Sequence, residues 1–118
     1  MSEPKENSAK ESSIKEAQGL ETLARCRVRI DAIDVRLLEL LNERTAIVED
    51  IGRVKQNLHL AVYEPKREDQ VFANVLSHHH GPLPPEAVKR IFERIIDEMR
   101  TVQQVNMLAK SEKESCSS

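Results

Sequence analysis

Aromatic side chains are nearly absent from this 118-residue chain, in which one Tyr, two Phe and no Trp make up 3%. That leaves almost nothing on which to stack bases. The formal net charge of -2 supplies no basic surplus either, so a nucleic-acid binder is excluded. Long apolar runs are missing as well. No stretch approaches the ~20 residues that span a bilayer, and the N-terminus lacks the apolar centre of a signal peptide, which predicts a cytoplasmic protein. Cysteine is scarce, and neither Cys26 nor Cys116 has a neighbour at metal-ligand spacing. Neither a disulfide framework nor a metal site is expected. His78, His79 and His80 are consecutive at a helix end, so they point in different directions, and no second ligand cluster exists. No nucleophile elbow, phosphate-cradling glycine loop or dinucleotide fingerprint occurs, so any chemistry is expected to be non-covalent and free of a cofactor.

What the chain does have is helical periodicity interrupted by charge. Ile30, Leu37, Leu41, Val48 and Ile51 recur at helical spacing within one long segment, and Arg27, Arg44 and Lys55 fall on the same stripe. Desolvating an unpaired guanidinium or ammonium costs several kcal/mol, so a bundle avoids such residues there unless an anion meets them. The face reads as an anion pocket inside a helix bundle.

The periodicity predicts an all-α protomer of three helices with a long N-terminal one. Helix one covers Glu21 to Asn57, about 35 residues or roughly 50 Å at the helical rise. Pro65 opens a second helix that runs to Ser77, with Val71, Phe72, Val75 and Leu76 facing inward. Gly81-Pro82-Leu83-Pro84-Pro85 ends it and starts a third, whose stripe is Val88, Ile91, Phe92, Ile95, Ile96, Met99 and Val102, continuing to about Leu108. Leu58 to Tyr63 is too short and unpartnered for a strand and is expected as a loop packed over the bundle. Residues 1–19 and 109–118 hold Ser, Lys and Glu with few large apolar residues and are expected as disordered tails flanking a domain at 20–108. The chain leaves no room for a fused regulatory domain, so control is expected from a separate partner enzyme, if at all.

Two short helices cannot bury a 50 Å rod, whereas a second copy of the chain can, which predicts an intertwined two-fold homodimer. Arg44 and Lys55 are 11 residues apart, roughly 16 Å, and their long side chains can serve one pocket. Arg27 stands 17 residues further back, about 25 Å away, too far to share it. An antiparallel partner can bring its own Arg27 alongside. The implied ligand has two or more anionic groups, and Arg67 in the first turn of helix two can supply another cation. Glu64 with Arg67 reads as an i, i+3 pair, while Glu68 can accept from a ligand hydroxyl. Gln103, the polar break in the third stripe, can donate to an ether or carbonyl oxygen or bond the backbone.

The ordered set Arg27-x-x-Ile30-Asp31-x-Ile33-Asp34, Leu37-Leu38-x-Leu40-Leu41-x-Glu43-Arg44, Ile51-Gly52-x-x-Lys55, Arg67-Glu68 and Ile91-Phe92-x-x-Ile95-Ile96 with Gln103 resembles the all-helical chorismate mutases of the AroQ class. The resemblance covers about residues 22 to 104. It implies an intertwined homodimer of chorismate mutase II type that rearranges chorismate to prephenate on the route to phenylalanine and tyrosine. It also implies that Arg44, Arg67 and Arg27 of the other protomer bind the substrate carboxylates. Lys55 and Gln103 would contact the ether oxygen, and Glu68 the ring hydroxyl, assisted by backbone near Glu64. Glu64 stands where the best-known members have Asp, and Met99 where they have Ser. A thioether cannot donate the hydrogen bond of a hydroxyl, which leaves backbone or Arg100 to supply that carboxylate contact and predicts weaker substrate affinity. Two other readings remain open on these residues: an isochorismate-pyruvate lyase on the same scaffold, and a non-catalytic helical dimerisation module in which Asp34 and Glu43 pair with the stripe cations.

Overall fold

The computed structural model describes residues 3–116, with side chains for residues 8–109. It contains three α-helices, α1 (Glu3–Asn57), α2 (Pro65–Ser77) and α3 (Pro85–Cys116), and no strand among the described residues. The chain divides into two units, 1–42 and 43–118. The first is helix from Glu3 onward, with every described side chain from Ser8 to Leu40 exposed. The second holds the last turns of α1 with α2 and α3.

Helix α1 begins at Glu3, not near Glu21, so most of the segment expected as a disordered tail is helical. The reason is local. From Lys5 to Gln18 the chain has neither Pro nor Gly, and it is rich in Lys, Glu, Ala and Gln, with Glu11 placed four residues before Lys15. Propensity alone carries this stretch, so apolar periodicity gave no sign of it. The same holds for α3, which continues past Leu108 to Cys116 through a run without Pro or Gly.

In the second unit, Val88 (7% exposed) and Met99 (6%) are the buried apolar residues and Gln103 (7%) the buried polar one. Helix α2 packs on α3, with Val71, Phe72, Val75 and Leu76 half-buried and the Lys89 ammonium 5.9 Å from the centre of the Phe72 ring. Ile91, expected in the inward stripe, is exposed. The apolar stripe of α3 is wider than the surface of α2 that covers it.

The α1–α2 loop departs from expectation too. Leu58, Leu60 and Tyr63 are exposed, and only Val62 between them is half-buried, so this loop is not a packed cover. Its path is set by hydrogen bonds. His59 adopts a left-handed φ of 56°, the Leu60 N–H donates to the Lys55 carbonyl (2.8 Å) and the His59 N–H to the Gln56 carbonyl (3.2 Å). This is a Schellman termination with His where glycine is usual. It turns the chain back over the last turn of α1, where Lys55 sits.

The histidine tract is engaged in local bonds at the end of α2. The His78 ring Nδ1 bonds the Asn74 carbonyl (2.8 Å) and His79 Nε2 bonds the Leu83 carbonyl. Among the described residues, no cluster of His, Cys, Asp or Glu is arranged to hold a metal ion, and no helix is long and apolar enough to cross a membrane.

A left-handed conformation costs a non-glycine residue about 1–2 kcal/mol, partly offset in a glycine variant by the greater freedom of its unfolded chain. His59→Gly should therefore stabilise the protein by about 0.5–1 kcal/mol, read as a rise of several degrees in Tm.

Candidate active site

A cavity of about 850 Å³, counted to its open mouth, lies within the second unit between the end of α1, the loop, α2 and α3. Its charged lining comprises four cations, Arg44, Lys55, Arg67 and Arg100, against two carboxylates, Glu64 and Glu68. Ile47, Val48, Ile51, Val71 and Ile96 supply the apolar walls.

The two carboxylates are already taken. Lys55 Nζ is 2.9 Å from Glu64 Oε1 and also donates to the Val62 carbonyl (3.2 Å). Glu64 is the N-cap residue of α2, but its side chain makes no capping bond; its carbonyl accepts from the Glu68 N–H instead (3.1 Å). The carboxylate is thereby left for Lys55, and the expected Glu64–Arg67 pair does not form. Glu68, on the first turn of α2, pairs with Arg100 of α3.

That leaves Arg44 and Arg67 without a carboxylate among the described residues. Burial, and then the like charge of Arg67, hold the Arg44 guanidinium below its ordinary value. Its protein contact is weak: Arg44 Nη1 donates to the Met99 thioether at 2.7 Å. Two uncompensated guanidinium groups facing one cavity amount to a site for a dianion, and each can grip a carboxylate in bidentate fashion.

Gln103 reaches the cavity from the opposite wall. Its Nε2 donates to the Val48 carbonyl of α1 at 2.8 Å. Gly52, the weak point of helix one on propensity, lies directly against this amide. A Cβ built there would lie 3.5 Å from Gln103 Cγ and 3.7 Å from Nε2, so a branched side chain would displace the amide. The amide has two hydrogens, and the bond to Val48 uses one. Lys55 likewise has three and uses two. The backbone-bonding and ligand-donating readings of Gln103 are thus compatible.

Arg44, Lys55, Glu64, Arg67, Glu68, Met99 and Gln103 all line this cavity. Arg27 belongs to the first unit and is exposed there. Cys26, beside it, is a free thiol. Arg100, an alternative for the substrate-carboxylate contact, also lines the cavity, where it pairs with Glu68 and lies over Tyr63. The aromatic residue in the short loop, facing a helix that carries the arginine, was the signal for that contact.

Residues 26–104 match the family description Chorismate mutase type II. Over 83 residues the chain is 35% identical to the bifunctional chorismate mutase/prephenate dehydratase of Pseudomonas aeruginosa, a match covering 66% of this chain and 23% of that protein. The chain thus spans about a quarter of the length of this bifunctional relative. It is 29% identical over 86 residues to the chorismate mutase of Methanocaldococcus jannaschii, covering 71% of this chain and 86% of that one. The solved structure of chorismate mutase (form II) from Thermus thermophilus superposes with a TM-score of 0.68 at 30% identity, over 70% of this chain and 93% of that chain. The matched span contains all the cavity-lining residues and Arg27, and on it the chain belongs to the chorismate mutase type II family.

Proposed function

We propose that this chain catalyses the rearrangement of chorismate to prephenate. The observation that carries the proposal is the charge balance of the cavity, where two carboxylates occupy Lys55 and Arg100 while Arg44 and Arg67 face the interior uncompensated. Chorismate is a small dicarboxylate, and its two negative charges match that surplus.

The reaction is intramolecular. The ether C–O bond breaks as a new C–C bond forms, with no external acid, base or nucleophile, which accords with the lack of any such constellation. Arg44 and Arg67 hold the carboxylates so that the flexible enolpyruvyl arm folds over the ring in its reactive conformer. Lys55 and the spare Gln103 hydrogen meet the ether oxygen as negative charge develops on it. Glu68 accepts from the ring hydroxyl. Because these donors are fixed by Glu64, Val62 and Val48 beforehand, little reorganisation is needed at the moment of reaction.

The active assembly in this proposal is a two-fold homodimer. Its support is the exposure of apolar side chains along α1, including Leu20 (67%), Val28 (68%), Ile33 (57%) and Leu38 (59%), together with the very small set of buried residues in one protomer. A second copy covers that surface and brings its Arg27 to the carboxylate end of the cavity. The prephenate dehydratase in the name of the bifunctional relative points to a prephenate-consuming enzyme as the partner in metabolism.

Incubation with chorismate should yield prephenate; salicylate and pyruvate from isochorismate, with no prephenate from chorismate, would overturn the proposal in favour of a lyase. Lys55→Ala should lower turnover about 10²- to 10³-fold with the dimer intact, since one donor to the developing charge is lost. Mixing Arg27→Ala with Lys55→Ala chains tests the shared site. One site of each heterodimer retains both residues, so equal mixing should restore roughly a quarter of the wild-type rate, and no recovery would refute the sharing of Arg27.

A further inference from the structure

Arg100 is the cavity cation for which the proposed reaction has no use, yet it is the most connected of the four. From α3 it pairs with Glu68 of α2, while its guanidinium carbon lies 4.8 Å from the centre of the Tyr63 ring in the α1–α2 loop. A second nitrogen is 3.8 Å from Asp97 Oδ1, one turn earlier on α3. The Asp97 contact is long and its carboxylate is 62% exposed, so it directs little. The Glu68 contact differs in kind. Arg100 and Glu68 are 27% and 24% exposed, against 77% and 60% for the surface pair Arg94–Glu98. A planar guanidinium can lay its face on a ring while its edge donates to a carboxylate, which an ammonium cannot do.

Glu68 lies in the first turn of α2 and lines the cavity. A free glutamate there would sample several rotamers, and any ligand hydroxyl would have to select one. Arg100 removes that freedom by fixing one carboxylate oxygen and leaving the other to accept. We propose that Arg100 is a positioning residue, stacked on Tyr63, which holds the Glu68 carboxylate in the orientation that accepts a hydrogen bond from the substrate's ring hydroxyl. This rests on the mutase reading and adds to it a residue that touches no reacting atom, anchored by a loop residue outside the helices.

The test is a double-mutant cycle on steady-state kinetics with chorismate, using wild type, Arg100→Met, Arg100→Lys, Glu68→Gln and the Arg100→Met/Glu68→Gln double variant. Arg100→Met should raise KM about tenfold with kcat within about twofold, because the hydroxyl contact is made in both ground and transition states. Arg100→Lys should recover part of that loss. The double variant should be no worse than Glu68→Gln alone, since Arg100 acts through Glu68. Losses that multiply to about a hundredfold, or an unchanged KM in Arg100→Met, would overturn the assignment. If Arg100→Met does not fold, Tyr63→Ala at an exposed position carries the same test: a KM increase that disappears in the Glu68→Gln background, with an unchanged KM counting against the proposal. A wild-type protein without chorismate turnover would overturn the mutase reading and this role with it; normal wild-type turnover with multiplying losses would overturn only the role of Arg100.

Discussion

The site depends on the unneutralised charge of the Arg44 guanidinium. It is partly desolvated, it faces the like charge of Arg67, and among the described residues no carboxylate joins it. A cation so placed destabilises the unliganded site, and the entry of an anion offsets that cost. The carboxylates that could have neutralised it are engaged elsewhere, Glu64 by Lys55 and Glu68 by Arg100. The division of partners matters more than the number of charges. Had Glu64 paired with Arg67, the cavity would keep the same net charge but present one fewer free guanidinium to a dicarboxylate.

Local chain geometry enforces that division. The left-handed His59 and its Schellman bonds reverse the chain at the end of α1, and the turn leads within a few residues to Val62 and Glu64. Both then meet Lys55. Glu64 can do so because its carboxylate, at the N-cap of α2, makes no capping bond and is left to pair with Lys55. On the opposite wall, Gln103 packs against Gly52 of α1, and the Val48 carbonyl fixes its amide. Each donor assigned to the proposed reaction is thus held by backbone groups of the last turns of α1 or of the loop that follows, so one helix end sets the geometry of both.

Much of this was legible in the sequence, for reasons that differ by element. Pro65 and Pro85 marked the starts of α2 and α3, because proline is tolerated only at a helix beginning and restricts the residue before it. Arg44 and Lys55 were legible as a pair because helical periodicity put both on an apolar stripe, and both do face one cavity. The first turns of α1 were not, since a helix held by propensity alone leaves no apolar period. Nor were the partners of Glu64 and Glu68. Helical spacing suggested Glu64–Arg67, whereas the pairs that form join different elements, Lys55 to Glu64 and Arg100 to Glu68. The fold of a short loop, fixed by one left-handed residue, decides them.

Met99 shows why the departure from the serine expected on resemblance is not simply a lost hydrogen bond. Its thioether is buried and accepts from Arg44 Nη1, so it touches the cation rather than offering a group to the anion. Sulfur is a weak acceptor and bears no formal charge. It can therefore steady the guanidinium without neutralising it. A carboxylate at this position would hold Arg44 more firmly, but would also remove the charge surplus on which the proposed binding of a dicarboxylate rests. A hydroxyl could serve the ligand directly, at the expense of the apolar packing that now surrounds residue 99. In this chain the side chain beside Arg44 touches the guanidinium without neutralising it, which leaves the carboxylate grip in the proposed reaction to the guanidinium groups themselves.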